Sequence, residues 1–225
     1  VRIKVCCIAS IDEARLAIGA GASALGLVSE MPSGPGVIPW ERIAEIAAAV
    51  PPPVATFLLT CSQEAEEIVA QQRRCGTNVI QICDRLERGA YAGLRRALPG
   101  IRIVQVIHVA DASSVDEARA IAPHVDALLL DSGNPSLAVK ELGGTGRVHD
   151  WTLSAQIRAS VAVPVFLAGG LNAANVHDAI AAVQPFALDV CSGVRTNGAL
   201  DPEKLRAFVN AAGPLDPVPR RRVTT

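Results

Sequence analysis

The chain has 225 residues, of which 50% are hydrophobic and 19% charged, with a net charge of -1. That length and apolar content suit one large α/β domain with a buried core, and the near-zero charge gives no hint of a nucleic-acid partner, so none is expected. No run of eighteen apolar residues and no basic-then-apolar leader is present, so the expectation is a cytoplasmic protein with no membrane partner.

Taken in chain order, short apolar runs rich in Val, Ile and Leu predict strands at residues 1–6, 24–28, 54–59, 79–83, 101–109, 127–131, 163–168 and 187–191. Stretches rich in Ala, Glu and Arg with helical spacing follow each of them, at 10–19, 39–49, 62–75, 89–97, 114–122, 153–159, 173–183 and 201–212. Start signals agree: Ser10 precedes Asp12 and Glu13, Ser62 precedes Glu64, and Pro39 and Pro202 sit at first helical turns. Eight βα units in this length predict a single-domain (β/α)8 TIM barrel over residues 1–212. A doubly wound sheet is the alternative, but the Gly-x-Gly-x-x-Gly turn it uses is missing after the first strand. Residues 213–225 form a Pro/Arg-rich C-terminal tail, whose Arg220, Arg221 and Arg222 read as solvated charge.

The chemistry of such a barrel collects at the C-terminal ends of its strands. The first strand ends in the thiol of Cys6 and the sixth in the carboxylate of Asp131, a base and an acid that can flank a substrate from opposite sides of the mouth. Side-chain alternation puts Lys4 on the face of Cys6, where an ammonium favours a thiolate, and turns Cys7 away or into the loop. Each residue has a plainer reading as well: a buried structural cysteine, and a carboxylate capping a loop. The last two strands end in glycine turns at Gly169-Gly170 and Ser192-Gly193, where this fold recurrently holds phosphate, though glycine also ends strands for conformational reasons alone. The segment Gly143-Gly144-Thr145-Gly146 reads as a mobile lid or a flexible connection. The six cysteines lack zinc spacings and are expected reduced, with no metal site. Of the histidines, His108 at the end of the fifth strand faces either the mouth or its neighbours, and His149 is read as loop packing.

Several of these segments together are specific: Lys4-Val5-Cys6, Gln81, Leu130-Asp131, Gly143-Gly144-Thr145-Gly146 with Asp150-Trp151, Ala168-Gly169-Gly170-Leu171-Asn172, and Asp189-Val190 with Ser192-Gly193-Val194. On these residues the chain resembles the phosphoribosylanthranilate isomerase family along nearly its whole length. The resemblance implies an aldose–ketose Amadori rearrangement of a phosphoribosyl amine, of the tryptophan-biosynthesis type, with Cys6 as general base, Asp131 as general acid and no cofactor. It implies a small phosphorylated sugar-amine substrate, with Lys4, Gln81, Gly144, Gly169, Gly170, Ser192, Gly193 and Arg195 as substrate or phosphate contacts. The chain departs from the family's pattern at Gly36, where an arginine holds the anthranilate carboxylate, at Cys83 for a histidine, at Cys7 for a glycine and at Arg195 for a glutamate. One reading keeps the anthranilate substrate, with Arg195 or Arg147 holding its carboxylate. Another has the barrel act on a different phosphoribosylated amine, and a third makes it a non-catalytic sugar-phosphate binder. A Schiff-base aldolase would need a barrel lysine, and Lys4 is the only lysine on a predicted strand. The 3% aromatic content offers few interface anchors, so a monomer is expected.

Overall fold

The computed structural model describes residues 1–134 and 136–213. Strand and helix alternate through it: β1 Arg2–Val5, α1 Ile11–Gly19, β2 Ala24–Val28, α2 Trp40–Ala49, β3 Ala55–Thr60, α3 Ala65–Cys75, β4 Val79–Ile82 and α4 Arg88–Ala97. The second half continues with β5 Arg102–His108, α5 Ser113–Ile121, β6 Ala127–Asp131, α6 Trp151–Ser160, β7 Val165–Leu167, α7 Val176–Val183, β8 Ala187–Val190 and α8 Pro202–Ala212. The eight strands pair in parallel in chain order, and β8 closes on β1 with Lys4 opposite Asp189 and Val5 opposite Val190. The architecture is the expected (β/α)8 barrel. No helix among the described residues is long and apolar enough to cross a membrane.

Two apolar shells follow from the two-residue period of the strands. Ile3, Val5, Leu128, Leu130, Leu188 and Val190 belong to the outer shell between strands and helices. Their alternates Ala127, Leu129 and Ala187 belong to the shell inside the barrel, together with Phe57, Val104 and Phe166. The same parity carries Lys4 and Cys6 of the first strand, Asp131 of the sixth and Asp189 of the eighth inward. Three of the polar positions at the barrel's interior are therefore fixed by the hydrophobic pattern of their own strands.

Helix starts follow their caps. Ser10 Oγ accepts from Glu13 N at 3.1 Å, Asp150 from Thr152 N at 2.8 Å, and Asp201 from Glu203 N at 2.9 Å with Pro202 in the first turn. Two starts lie three residues later than expected. The third helix begins at Ala65 because Ser62 accepts from Glu64 N and donates to the Glu67 carboxylate, which builds a turn ahead of the helix. The seventh begins at Val176 because Asn172 and Asn175 bond each other's turn. A two-stranded hairpin, β9 Arg195–Thr196 and β10 Ala199–Leu200, stands between β8 and α8. Its turn is Asn197-Gly198, both at positive φ, a short-range hairpin signal. The C-terminal tail from residue 214 lies outside the described residues.

Candidate active site

At the C-terminal end of the barrel a pocket of about 680 Å³, its opening included, is lined by Cys6, Gln81, Asp131, Gly144, Gly169, Gly170 and Ser192. Strand parity brings the thiol and the carboxylate there from β1 and β6. On the side between them the wall is apolar, made by Val28, Met31, Leu59 and Leu142.

The base side of the rim is built on charge. Lys4 is fully buried, and its Nζ lies 2.9 Å from Asp189 Oδ1 and 5.3 Å from the centre of the Phe57 ring. Burial works against its charge, yet the Asp189 carboxylate overcomes that cost, and the ammonium is held above the usual lysine range. A methyl group added at Gly26 would stand 2.7 Å from Cys6 Sγ and 3.1 Å from Lys4 Nζ. The thiol and the ammonium therefore lie next to each other on the same side of β2. Beside them Cys83 is buried at the end of β4, its thiol pushed up by burial.

The acid side is built on desolvation. Asp131 is 9% exposed, and burial raises its carboxyl above the ordinary range. The Ser132 amide, 2.7 Å from Oδ1, partly opposes this and fixes the carboxyl's orientation. Gly143 passes directly above, where an added Cβ would lie 3.0 Å from Asp131 Oδ2.

The loops close over this floor. Ser33 Oγ donates to Lys140 O at 2.6 Å, joining the loop after β2 to the loop after β6. Thr145 and Ser132 hydroxyls meet at 2.7 Å, and Gly170, at φ +61, lies so close to the backbone of Gly146 and Arg147 that any Cβ would clash. The segment 143–146 is thus packed across the turns that end β7 and β8. Gly193 does not line the pocket; it is pressed against the Leu171 carbonyl, which locks the two turns together. Within the pocket wall, Gln81 Oε1 is buried without a hydrogen-bond partner among the described residues.

Several sequence expectations are corrected by these contacts. Arg195 does not reach the pocket: its guanidinium is buried, paired with Glu13 at 3.0 Å, and bonded to the carbonyls of Gly198, Cys6 and Cys7. The hairpin turn at Asn197-Gly198 folds it under the end of β1, so it is neither a phosphate ligand nor a solvated rim charge. Lys4 likewise sits beneath the pocket, engaged by Asp189, and does not line it. Arg147 is exposed and paired with Glu141. Cys7 does not turn away; at φ +62 it lines the pocket beside Cys6, and its Sγ lies 2.8 Å from Cys191 Sγ. Gly36 packs on Cys7 so closely, 2.5 Å from a built Cβ to Cys7 Cβ, that no side chain fits there while Cys7 is present. His108 Nε2 bonds Cys83 O at 2.9 Å and His149 Nε2 bonds Ser154 Oγ at 2.7 Å, and neither lines the pocket. Asp189, Glu13 and Cys191 were not singled out from sequence. Parity on β8 was the signal for Asp189, and the Asn-Gly turn was the signal for the Arg195–Glu13 pair.

A sequence profile of N-(5'phosphoribosyl)anthranilate (PRA) isomerase matches residues 3–211. The N-(5'-phosphoribosyl)anthranilate isomerase of Haloferax volcanii is 38% identical over 213 residues, covering 94% of this chain and 92% of the relative. Its counterpart from Desulforudis audaxviator is 37% identical, covering 93% of this chain and 97% of its own length. Among solved structures, the phosphoribosyl anthranilate isomerase of Thermotoga maritima superposes with a TM-score of 0.81 at 28% identity, covering 94% of this chain and 98% of that one. A phosphoribosyl anthranilate isomerase in complex with reduced 1-(o-carboxyphenylamino)-1-deoxyribulose 5-phosphate superposes with a TM-score of 0.79 at 26% identity, with the same coverage.

Proposed function

This chain belongs to the N-(5'-phosphoribosyl)anthranilate isomerase family, and from that premise we propose that it carries out the family's reaction with Cys6 as general base and Asp131 as general acid. The reaction is the isomerisation of N-(5'-phosphoribosyl)anthranilate to 1-(o-carboxyphenylamino)-1-deoxyribulose 5-phosphate, a step of tryptophan biosynthesis. The observation that carries the assignment is that a thiol beside a buried ammonium and a desolvated carboxyl open into one pocket from β1 and β6.

The chemistry needs both groups. Asp131, raised by burial, donates its proton to the ring oxygen as the bond from that oxygen to the sugar's first carbon breaks, leaving an iminium there. Cys6 removes the proton from the second carbon and gives the enolamine. Return of a proton to the first carbon, with loss of the hydroxyl proton at the second, yields the amino ketose, so atoms are conserved and no electrons are gained or lost overall. The Gln81 carbonyl oxygen, without a protein donor, accepts from a sugar hydroxyl. The turns at Gly169, Gly170 and Ser192 hold the phosphate, with Gly193 fixing their spacing and Gly144 covering them. The aromatic ring rests on Val28, Met31, Leu59 and Leu142. A cytoplasmic, monomeric enzyme fits the free cysteines among the described residues, which a reducing compartment preserves.

The experiment is a fluorescence assay of N-(5'-phosphoribosyl)anthranilate, generated in situ, with the purified protein beside its Cys6→Ser variant. Cysteine-dependent consumption is expected. A folded protein that leaves the substrate unchanged would refute the anthranilate reading, and equal rates for both proteins would refute the role of Cys6.

A further inference from the structure

The mechanism uses one thiol of the base-side rim and leaves two beside it without a role. Cys7 and Cys191 come from opposite sides of the seam that closes the barrel. Val5 and Val190 are register partners in that seam, and Cys6 N bonds Val190 O at 2.8 Å, so Cys191 is the first residue past the ladder on β8. Cys7, at φ +62, folds back across the seam and brings its sulfur to 2.8 Å from that of Cys191. A disulfide bond is about 2.05 Å long, so less than about 1 Å of approach separates the pair from covalent geometry.

The backbone that carries Cys7 is held in this conformation. The Arg195 guanidinium bonds the carbonyls of both Cys6 and Cys7 and is itself paired with Glu13, whose carboxylate also accepts from Ala9 N and Leu200 N. Gly36 fits against Cys7 from above. The two thiols also differ in environment. Cys7 is buried, whereas Cys191 is partly exposed at the pocket. Their mutual hydrogen bond, with the Arg195 charge nearby, favours the thiolate on Cys191 and the protonated thiol on Cys7. An accessible thiol in contact with a second thiol is the arrangement of a dithiol that is oxidised as a pair.

We propose that Cys7 and Cys191 form a redox-active dithiol site at the mouth of the barrel, which takes a hydroperoxide as oxidant and closes to an intramolecular disulfide. The Cys191 thiolate attacks the peroxide oxygen, the O–O bond breaks, and the departing hydroxide leaves as water after protonation, giving a sulfenic acid. Cys7 sulfur then displaces the hydroxyl from Cys191, the S–S bond forms, and a second water departs. For hydrogen peroxide, two thiols lose two electrons and two protons, and one peroxide becomes two waters. A small dithiol reverses the reaction by exchange. The new bond joins the residue after the proposed base to the residue before Ser192, so the oxidised site is expected to lose turnover and regain it on reduction. The dithiol chemistry itself does not depend on the isomerase reading.

The test is treatment of the reduced full-length protein with hydrogen peroxide, alkylation of remaining thiols, and peptide mapping by mass spectrometry, repeated after dithiothreitol. The expected result is a loss of about 2 Da, a cross-linked pair of peptides carrying Cys7 and Cys191, and alkylation of the other four of the six cysteines. Dithiothreitol should restore six alkylated thiols, and Cys191→Ser should abolish the cross-link while Cys83→Ser keeps it. Oxidation of Cys191 to sulfinic acid with Cys7 still free would overturn the proposal, as would a cross-link involving Cys6. Six intact thiols at a peroxide dose that oxidises a free small-molecule thiol would overturn it too. Turnover measured on the same samples reports separately on the isomerase reading: a disulfide that forms and reverses in a protein inactive from the start would sink that reading and leave the dithiol standing.

Discussion

The two sides of the pocket prepare their groups by opposite means. On the base side, Cys6 stands among ions: the Lys4–Asp189 pair lies beneath it, and the Arg195–Glu13 pair clamps the carbonyls of Cys6 and Cys7. On the acid side, Asp131 accepts from the amide and the hydroxyl of Ser132 and has a glycine above it, and burial raises its carboxyl. The thiol has a fixed positive charge beside it. The carboxyl has lost water around it, which raises it above the ordinary range. The difference teaches that one barrel rim supplies acid and base together by distributing its charges unevenly.

That contrast can be broken most directly at the two groups themselves. Cys6→Ser and Asp131→Asn are each expected to lower kcat by about 10²–10⁴-fold, the usual worth of a positioned acid or base. They should differ in stability. Because Asp131 has a raised carboxyl in the folded state, the fold binds an extra proton between the ordinary carboxylate range and the raised value, and stability falls as pH rises through that window. Asp131→Asn escapes this and should melt higher than the parent at pH values above the window, whereas Cys6→Ser should not gain. A lower melting temperature for Asp131→Asn at every pH would remove desolvation from the account.

Next in size is Lys4→Met, which leaves Asp189 buried without its partner and should destabilise the fold by roughly 3–5 kcal/mol in denaturant titration. Replacing both as Lys4→Met with Asp189→Leu should recover most of that stability but not the rate. Full recovery of rate would show that the pair serves the scaffold alone. Arg195→Met should cost about 2 kcal/mol, through the lost charged hydrogen bonds, without weakening binding of a ribulose-type phosphate measured by calorimetry. A tenfold or larger loss of affinity would return Arg195 to the phosphate site. The smallest effect at neutral pH belongs to His149, which lies against Gly169 and whose ring pKa burial lowers to about 4. The unfolded chain takes up a proton near pH 6.5 that the fold refuses, so stability should decline between about pH 6.5 and 4, and His149→Gln should flatten that part of the melting-temperature profile.

The barrel was legible in the sequence because a parallel strand covered on both faces is a short apolar run, and eight of them alternate with helical spacing. The ends of the first and sixth apolar runs named Cys6 and Asp131, and the outer-shell places of Ile3, Val5, Leu128 and Leu130 turn these two inward. The destinations of Lys4 and Arg195 were not legible in the same way. A cation near a strand end is drawn equally by a substrate anion and by a protein carboxylate, and here Asp189 and Glu13 lie 185 and 182 residues away in sequence. Cys7 was misplaced because alternation was extended past the end of β1, where a left-handed residue reverses direction.

The most direct test of the acid–base division is binding and turnover measured together on Cys6→Ser and Asp131→Asn, with reduced 1-(o-carboxyphenylamino)-1-deoxyribulose 5-phosphate as the bound analogue. Both variants are predicted to bind it with a Kd close to that of the parent while kcat for N-(5'-phosphoribosyl)anthranilate falls by at least about 10²-fold. Retention of turnover by either variant, or loss of binding in step with loss of turnover, would contradict the assignment of Cys6 and Asp131 as base and acid.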